Sequence, residues 1–261
     1  MVKSLFVYLS VTLLAMKIPV CYQDEFIIAI NKPHGLLVHR SPIAADINEY
    51  ALQQLRNQLG CYVYPAHRID RKTGGLLLFS FSPEVNRMLH QAFMNSQIGR
   101  TYHAIVRGYV SEKGIIDYPL KNDQGKLQDA VTHYMRLQTA ELPIAQGKFL
   151  TSRYSLVQIT PQTGRMHQIR RHFAHISHPV IGDRPYGCNK QNRLFLEKWN
   201  HHTMLLHAFA LELTHPTSKQ NLRIEAPYQP EFKRIMEVMG WIDKQEIERN
   251  KSNSVHLSNS G

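Results

Sequence analysis

The segment from His67 to Phe79, HRIDRKTGGLLLF, sets one acidic side chain, Asp70, among Arg68, Arg71 and Lys72. It then passes through Gly74 and Gly75 into an unbroken apolar run. A carboxylate flanked by cations stays ionised, because opposite charge nearby favours its charged form. Leu76, Leu77, Leu78 and Phe79 have the length and composition of a strand buried on both faces. The loop carrying Asp70 is therefore anchored by the core, and the paired glycines let it turn sharply into that strand. A lone aspartate beside arginines is ordinarily a surface ion pair. The length of the pattern sets this one apart.

A second chemistry-bearing stretch is GRMHQIRRHFAHISHP, residues 164–179. Met166, Ile169, Phe173 and Ile176 recur at helical spacing and are expected to pack inward. Arg170 borders that stripe and can reach a partly buried pocket. Arg171, His172, His175 and His178 are placed for solvent or phosphate.

Other chemistries find no support. Histidines cluster at His167, His172, His175 and His178, with a pair at His201 and His202, but no HExxH arrangement occurs and no metal is expected. There is no GxSxG elbow and no cysteine in an activating context. Neither a GxxxxGK[ST] loop nor a strand-to-helix GxGxxG is present, so no nucleotide cofactor is expected. Against 20 Asp and Glu the chain carries 31 Lys and Arg, a formal net charge of +11, which predicts a polyanionic partner. A basic protein with a single candidate carboxylate suits chemistry on a nucleic acid.

HRIDRKTGGLLL resembles the nucleophile motif of the RluA family of pseudouridine synthases, with Ile69 where Leu is commoner and Gly74 where Ser is commoner. Neither change removes a reactive group. NKPHGLLVH at 31–39, RTYHAIVRG at 100–108, PQTGRMHQIRRHFAHISHPVIGD at 161–183 and LLHAFALELTHP at 205–216 resemble the remaining family motifs in order. The likeness runs from about Ile18 to Trp241. It implies an RNA pseudouridine synthase, an isomerase needing neither metal nor nucleotide cofactor, with Asp70 as nucleophile. Arg68 would fill the space left by an extruded base. Tyr102 would stack on that base and help remove the C5 proton. Arg170 would pair with Asp70 and hold it anionic, and an Arg170→Met chain is expected to fold yet turn over poorly. Leu205, His207 and Ala208 fall in a motif read as structural. Within the family the likeness is to a subgroup without an S4 domain that acts on tRNA, implying uridine 65 of the T-stem as target. A ribosomal-RNA synthase of the same family, or a non-catalytic RNA-binding protein on the same fold, remain as alternatives.

The elements that must position these residues can be read in order. Phe26–Ile30 is a strand whose turn through Asn31–Gly35 leads into Leu36–Val38, a hairpin. Asp46–Leu59 is a helix stopped by Gly60, and Cys61–Tyr64 a short strand. Ser82 and Pro83 open a helix bearing Val85, Leu89, Ala92 and Phe93. Arg100–Val110 alternates, with Tyr102, Ala104 and Val106 on one face and Thr101, His103 and Ile105 on the other. Residues 111–148 read as loops around a short strand, Val131–Leu137. Phe149–Thr160 is a strand that ends at the Pro161–Gly164 turn. Met204–Leu213 and Leu222–Ala226 are strands and Pro230–Gly240 a final helix. Strands without regular helix alternation predict an α+β fold, a pseudouridine synthase fold with a central mixed or antiparallel sheet flanked by helices and loops.

With 261 residues the chain suits one large domain, expected over 17–242. Residues 1–16 combine Lys3 with an apolar stretch, yet Pro19, Val20 and Cys21 give no small-residue cleavage site, and the stretch is short for a membrane span. They are expected to be a mis-assigned start or dispensable extension ahead of Met16, with a signal as the alternative. Residues 243–261 read as a polar tail, expected to be disordered. Three cysteines, Cys21, Cys61 and Cys188, without a CxxC pair fit a reducing cytoplasm. A monomer that binds tRNA and no membrane is expected.

Overall fold

The computed structural model describes residues 17–39 and 50–241. Its first part runs β1 (Val20–Gln23), β2 (Ile27–Lys32), α1 (Ala51–Leu59), β3 (Tyr64–Pro65), β4 (Gly74–Ser80) and α2 (Pro83–Met94). Next come β5 (Gly99–Arg107), β6 (Lys113–Asp117), β7 (Leu120–Lys121), β8 (Leu127–Gln128), β9 (Val131–Leu142) and β10 (Ser152–Pro161). The last part is α3 (Gln168–His175), α4 (Asn189–Trp199), β11 (Leu206–Thr214), β12 (Asn221–Glu225) and α5 (Pro230–Val238).

Ten strands form one sheet in the order β1-β2-β4-β11-β5-β10-β9-β6, with β3 also on β4 and β12 on β11, while β7 and β8 pair separately. β11 runs parallel to β4, and the other pairings are antiparallel. The sheet is therefore mixed and the fold α+β, as expected. β2 and β4 are buried along their whole length, which is what an uninterrupted apolar run requires of a strand covered on both sides. On one face of this first half, Ile28, Ile30, Leu77 and Phe79 pack with Ala51 and Leu55 of α1 and with Ile69. On the other, Ile27, Ala29, Leu76 and Leu78 pack with Val85 and Leu89 of α2.

The second half repeats the plan. Ala104, Val106, Val157 and Ile159 meet Ile169 and Phe173 of α3. Ile105, Tyr154 and Leu156 meet Phe195 of α4 and Phe232, Ile235 and Met236 of α5 on the opposite face. Tyr102 packs against both the α1-side and the α3-side clusters, so the predicted alternation along β5 brings its ring to the seam between the two halves. Ser82 caps α2 as expected, its hydroxyl accepting the Val85 N–H at 3.2 Å. Gly60, at φ +69°, ends α1. Among the described residues no helix is long and apolar enough to cross a membrane.

Several expectations are corrected. The hairpin partner of β2 is the preceding β1, through the turn at residues 24–26, rather than Leu36–Val38, and its other neighbour is β4; Leu37 makes an isolated bridge to Tyr50. The short strand expected at Cys61–Tyr64 lies at Tyr64–Pro65. The short strand expected at Val131–Leu137 is there but runs on as the twelve-residue β9, and the loops expected before it hold β6 and the β7–β8 pair. α4 was not anticipated. Met166 is exposed rather than packed inward, and His172, expected to face solvent, is fully buried. Its Nε2 lies 3.0 Å from the Tyr118 carbonyl oxygen. The start of the Asp46 helix, the N-terminal extension and the polar tail lie outside the described residues.

Candidate active site

Asp70 stands on the loop entering β4, held from three directions. Its own carbonyl accepts the Thr73 N–H at 3.0 Å, closing a turn. From the end of β2 the Lys32 ammonium, wholly buried, donates to the carbonyls of Pro33, Leu36 and Arg71 at 3.0, 2.8 and 3.2 Å. Burial pulls Lys32 down to about 7, with the nearby Asp70 charge opposing that shift. At the start of β4, Gly75 has φ +105°, and a Cβ there would stand 2.2 Å from the Ala208 carbonyl oxygen of β11. Only glycine permits both the conformation and the approach, so the loop is bolted to β11 where the two strands run parallel.

Arg170 reaches Asp70 from α3, a hundred residues further along. Its Nη1 donates to Asp70 Oδ2 at 3.0 Å, while Nε and Nη2 donate to Asp183 Oδ2 and Oδ1, both at 2.8 Å. The guanidinium stacks over the Tyr186 ring, 5.1 Å from its centroid. Arg170 and Asp183 are buried, whereas the Asp70 side chain keeps 27% of its surface exposed. Burial alone would lower the arginine pKa, but the bonds and charges of Asp183 and Asp70 outweigh it and hold Arg170 above its usual value. A bidentate clamp of this kind fixes a guanidinium in one orientation.

His167, just ahead of α3, adopts a left-handed conformation (φ 54°) uncommon for a residue with a side chain. Its Nε2 lies 3.9 Å from the same Oδ2 of Asp70, and its Nδ1 3.1 Å from the Tyr186 hydroxyl. Burial lowers the imidazole pKa, against the pull of Asp70, which favours the neutral ring. The neutral ring has one donor and one acceptor to place between these partners.

Arg68, Asp70, Tyr102 and Arg170 all line one cavity of about 380 Å³, which has Leu206 and Ile169 in its wall. That volume falls in the range of small-molecule sites. The structure thus brings together all four residues singled out in the sequence. Arg68 is exposed, and its guanidinium has no hydrogen-bond partner among the described residues. The Tyr102 phenol is raised by burial.

The other cations divide differently from the expectation. Arg71 donates from Nε to the Gly35 carbonyl at 2.9 Å, turned to its own loop. Arg171 donates to the Lys121 carbonyl at 2.9 Å. The cation that meets Asp70 is therefore not one of its sequence neighbours. Leu205 and His207 are buried, with His207 Nε2 3.1 Å from the Ala226 carbonyl oxygen, which fits a structural motif. Among the described residues no group of three or more His, Cys, Asp or Glu is placed to hold a metal.

Two residues of the site were missed in the sequence. Asp183 closes the longest of the motif segments, and a buried arginine needs carboxylate partners; together these could have flagged it. Tyr186 carries no signal beyond being three residues further on.

Residues 26–175 match the family described as RNA pseudouridylate synthase. A tRNA pseudouridine synthase C of Vibrio cholerae serotype O1 is 42% identical over 233 residues, 85% of this chain and 96% of the relative. The same-named protein of Haemophilus ducreyi is 42% identical over 236 residues, 87% and 97% of the two chains. Among solved structures, human RNA pseudouridylate synthase domain containing 1 superposes with TM-score 0.65 at 21% identity over 82% of this chain and 86% of that one. Domain containing 4 gives 0.63 at 22% identity over 84% and 92%. These two likenesses bear on the fold.

Proposed function

The chain belongs to the RNA pseudouridylate synthase family and is an isomerase, and on that premise we propose that it converts a tRNA uridine to pseudouridine, at position 65 of the T-stem, with Asp70 as nucleophile. The tRNA target rests on the activity named for its relatives, and the position on the likeness of its motif segments to that subgroup. The observation that carries the site assignment is the 3.0 Å contact between Asp70 and Arg170 at the wall of a cavity that Arg68 and Tyr102 also line.

A uridine inside a duplex is out of reach, so the base leaves the stack at a cost of about a few kcal/mol. Arg68, exposed and without a hydrogen bond to the described residues, takes the place of the departed base. Asp70 attacks C1' of the ribose or C6 of the ring through the oxygen that Arg170 does not hold. The glycosidic bond breaks, the uracil turns, C5 bonds to C1' as the bond to Asp70 breaks, and the C5 proton is removed with help from Tyr102 while N1 takes up a proton. Tyr102 stacks on the ring throughout. Arg170, fixed by Asp183, orients the carboxylate and offsets its charge as the RNA backbone approaches.

Replacing Asp70 by Asn tests the reading. On an unmodified tRNA transcript, RNA binding is retained and pseudouridine formation is abolished, measured by chemical labelling and reverse transcription. Unchanged product would remove Asp70 from the mechanism. Loss of pseudouridine only at a ribosomal site in cells lacking the gene would overturn the tRNA assignment.

A further inference from the structure

Beside the Asp70 cavity lies a second, larger depression of about 710 Å³ between the Asp70 loop, the C-terminal end of α2 and the turn after β10. The two share Arg68, Arg100 and Arg165 as a common wall. Arg100 is planted there by bonds from Nη2 to the Pro161 and Thr163 carbonyls at 3.3 and 3.1 Å, and Arg165 by Nε to the Asp129 carbonyl at 2.9 Å. Each commits only part of its five donors to those carbonyls. The far wall is different in kind. His67, pulled down to about 3 by burial and accepting the Leu78 N–H at 3.1 Å, is neutral and lies against Phe93, ring centroids 4.7 Å apart and planes tilted by 33°. Met94 beside it is 84% exposed, and His90 is exposed on the same helix. Among the described residues no carboxylate lines this groove.

Resting on the function proposed above, we infer that the groove is the binding site for the nucleotides that flank the target uridine. An extruded nucleotide stays tied to its strand by a phosphodiester on each side, so the strand must leave the Asp70 cavity by a path compatible with phosphate. The wall shared by the two depressions offers three guanidiniums there; Asp70 and Asp123 lie on its cavity side, and the groove side has no acid among the described residues. Beyond it, Phe93 and Met94 present an apolar platform for a base face, the pairing of cationic track and stacking surface that single-stranded RNA uses. The groove thus sets affinity and register, and the cavity does the chemistry.

The double variant His90→Glu/Met94→Glu changes two exposed positions outside the catalytic cavity. With an unmodified tRNA transcript followed by fluorescence anisotropy, its dissociation constant rises about tenfold, and the slope of log affinity against log salt becomes shallower by about one. The single-turnover rate at saturating RNA stays at the wild-type value, so the defect sits in KM and not in kcat. Arg193→Glu, at an exposed position of α4 outside both depressions, reverses a charge without that loss. The inference is overturned if the double variant binds within twofold of wild type, or if Arg193→Glu weakens binding as much. A wild-type protein that binds tRNA but forms no pseudouridine would instead refute the proposed function, with the groove still tested by the binding measurements.

Discussion

Arg170 and Lys32 are both buried beside the Asp70 loop, one reaching it from α3 and the other from the end of β2. Arg170 meets two carboxylates, which hold its charge above the usual range in spite of burial. Lys32 meets three carbonyls, and burial draws it down to about 7. Carboxylate partners make a buried cation a permanent electrostatic fixture. Carbonyl dipoles use the same kind of group as a mechanical tie whose charge can be given up. The Asp70 loop is thus oriented from one side and shaped from the other.

The largest effect separates the two roles most sharply. Arg170→Met leaves the buried Asp183 carboxylate without its partner, a loss of about 3–5 kcal/mol in urea unfolding, together with loss of turnover. The sequence alone suggested that this variant would fold unharmed, and the Asp183 clamp is the reason to expect otherwise. Arg170→Met/Asp183→Leu recovers most of the stability and none of the activity. A single variant as stable as wild type would show that the clamp does not hold this region.

Lys32→Met is milder, costing about 1–3 kcal/mol because three loop carbonyls lose their donor. Turnover falls with it, and recovery of turnover by higher RNA concentration would contradict a role in shaping the loop. The effect that is smallest per step is the pH dependence, read one pH unit at a time. The folded pKa of Lys32, about 7, lies below its ordinary 10.5, so between those values the unfolded chain holds the extra proton and stability rises with pH. Below about 7 both states are protonated and the contribution is flat. The wild-type stability should therefore climb relative to Lys32→Met from pH 7 toward 10, by at most about 1.4 kcal/mol per unit. A difference independent of pH would mean that Lys32 keeps its charge as Arg170 does.

What could be read from the sequence was local. The apolar run of β4, the Ser82–Pro83 cap, the alternation placing Tyr102 and the helical stripe beside Arg170 each depend on residues within a few positions of one another. Asp183 was missed because its partner is set by α3 folding back, with no spacing to mark it. Lys32 read as a turn residue, since a lysine is seldom fully buried. β9 was read only as far as Leu137 because HYMRLQTAE mixes polar and apolar residues on both faces, as a strand near the sheet edge can. In α4 only Leu194 and Phe195 among the apolar residues are buried, too few for a helical period to emerge.

The loop of Asp70 belongs to the β1-β2-β4 side of the sheet and α3 packs on the β5-β10-β9 side, and β11 is the strand laid between β4 and β5. A nascent chain emerging from the ribosome therefore carries Asp70, Tyr102 and Arg170 before β11 can bring them together. Until synthesis passes Thr214 the halves have no shared strand, and their pairing across such sequence distances closes slowly. Activity should appear only in the final stage of folding, all at once, with no working fragment before it.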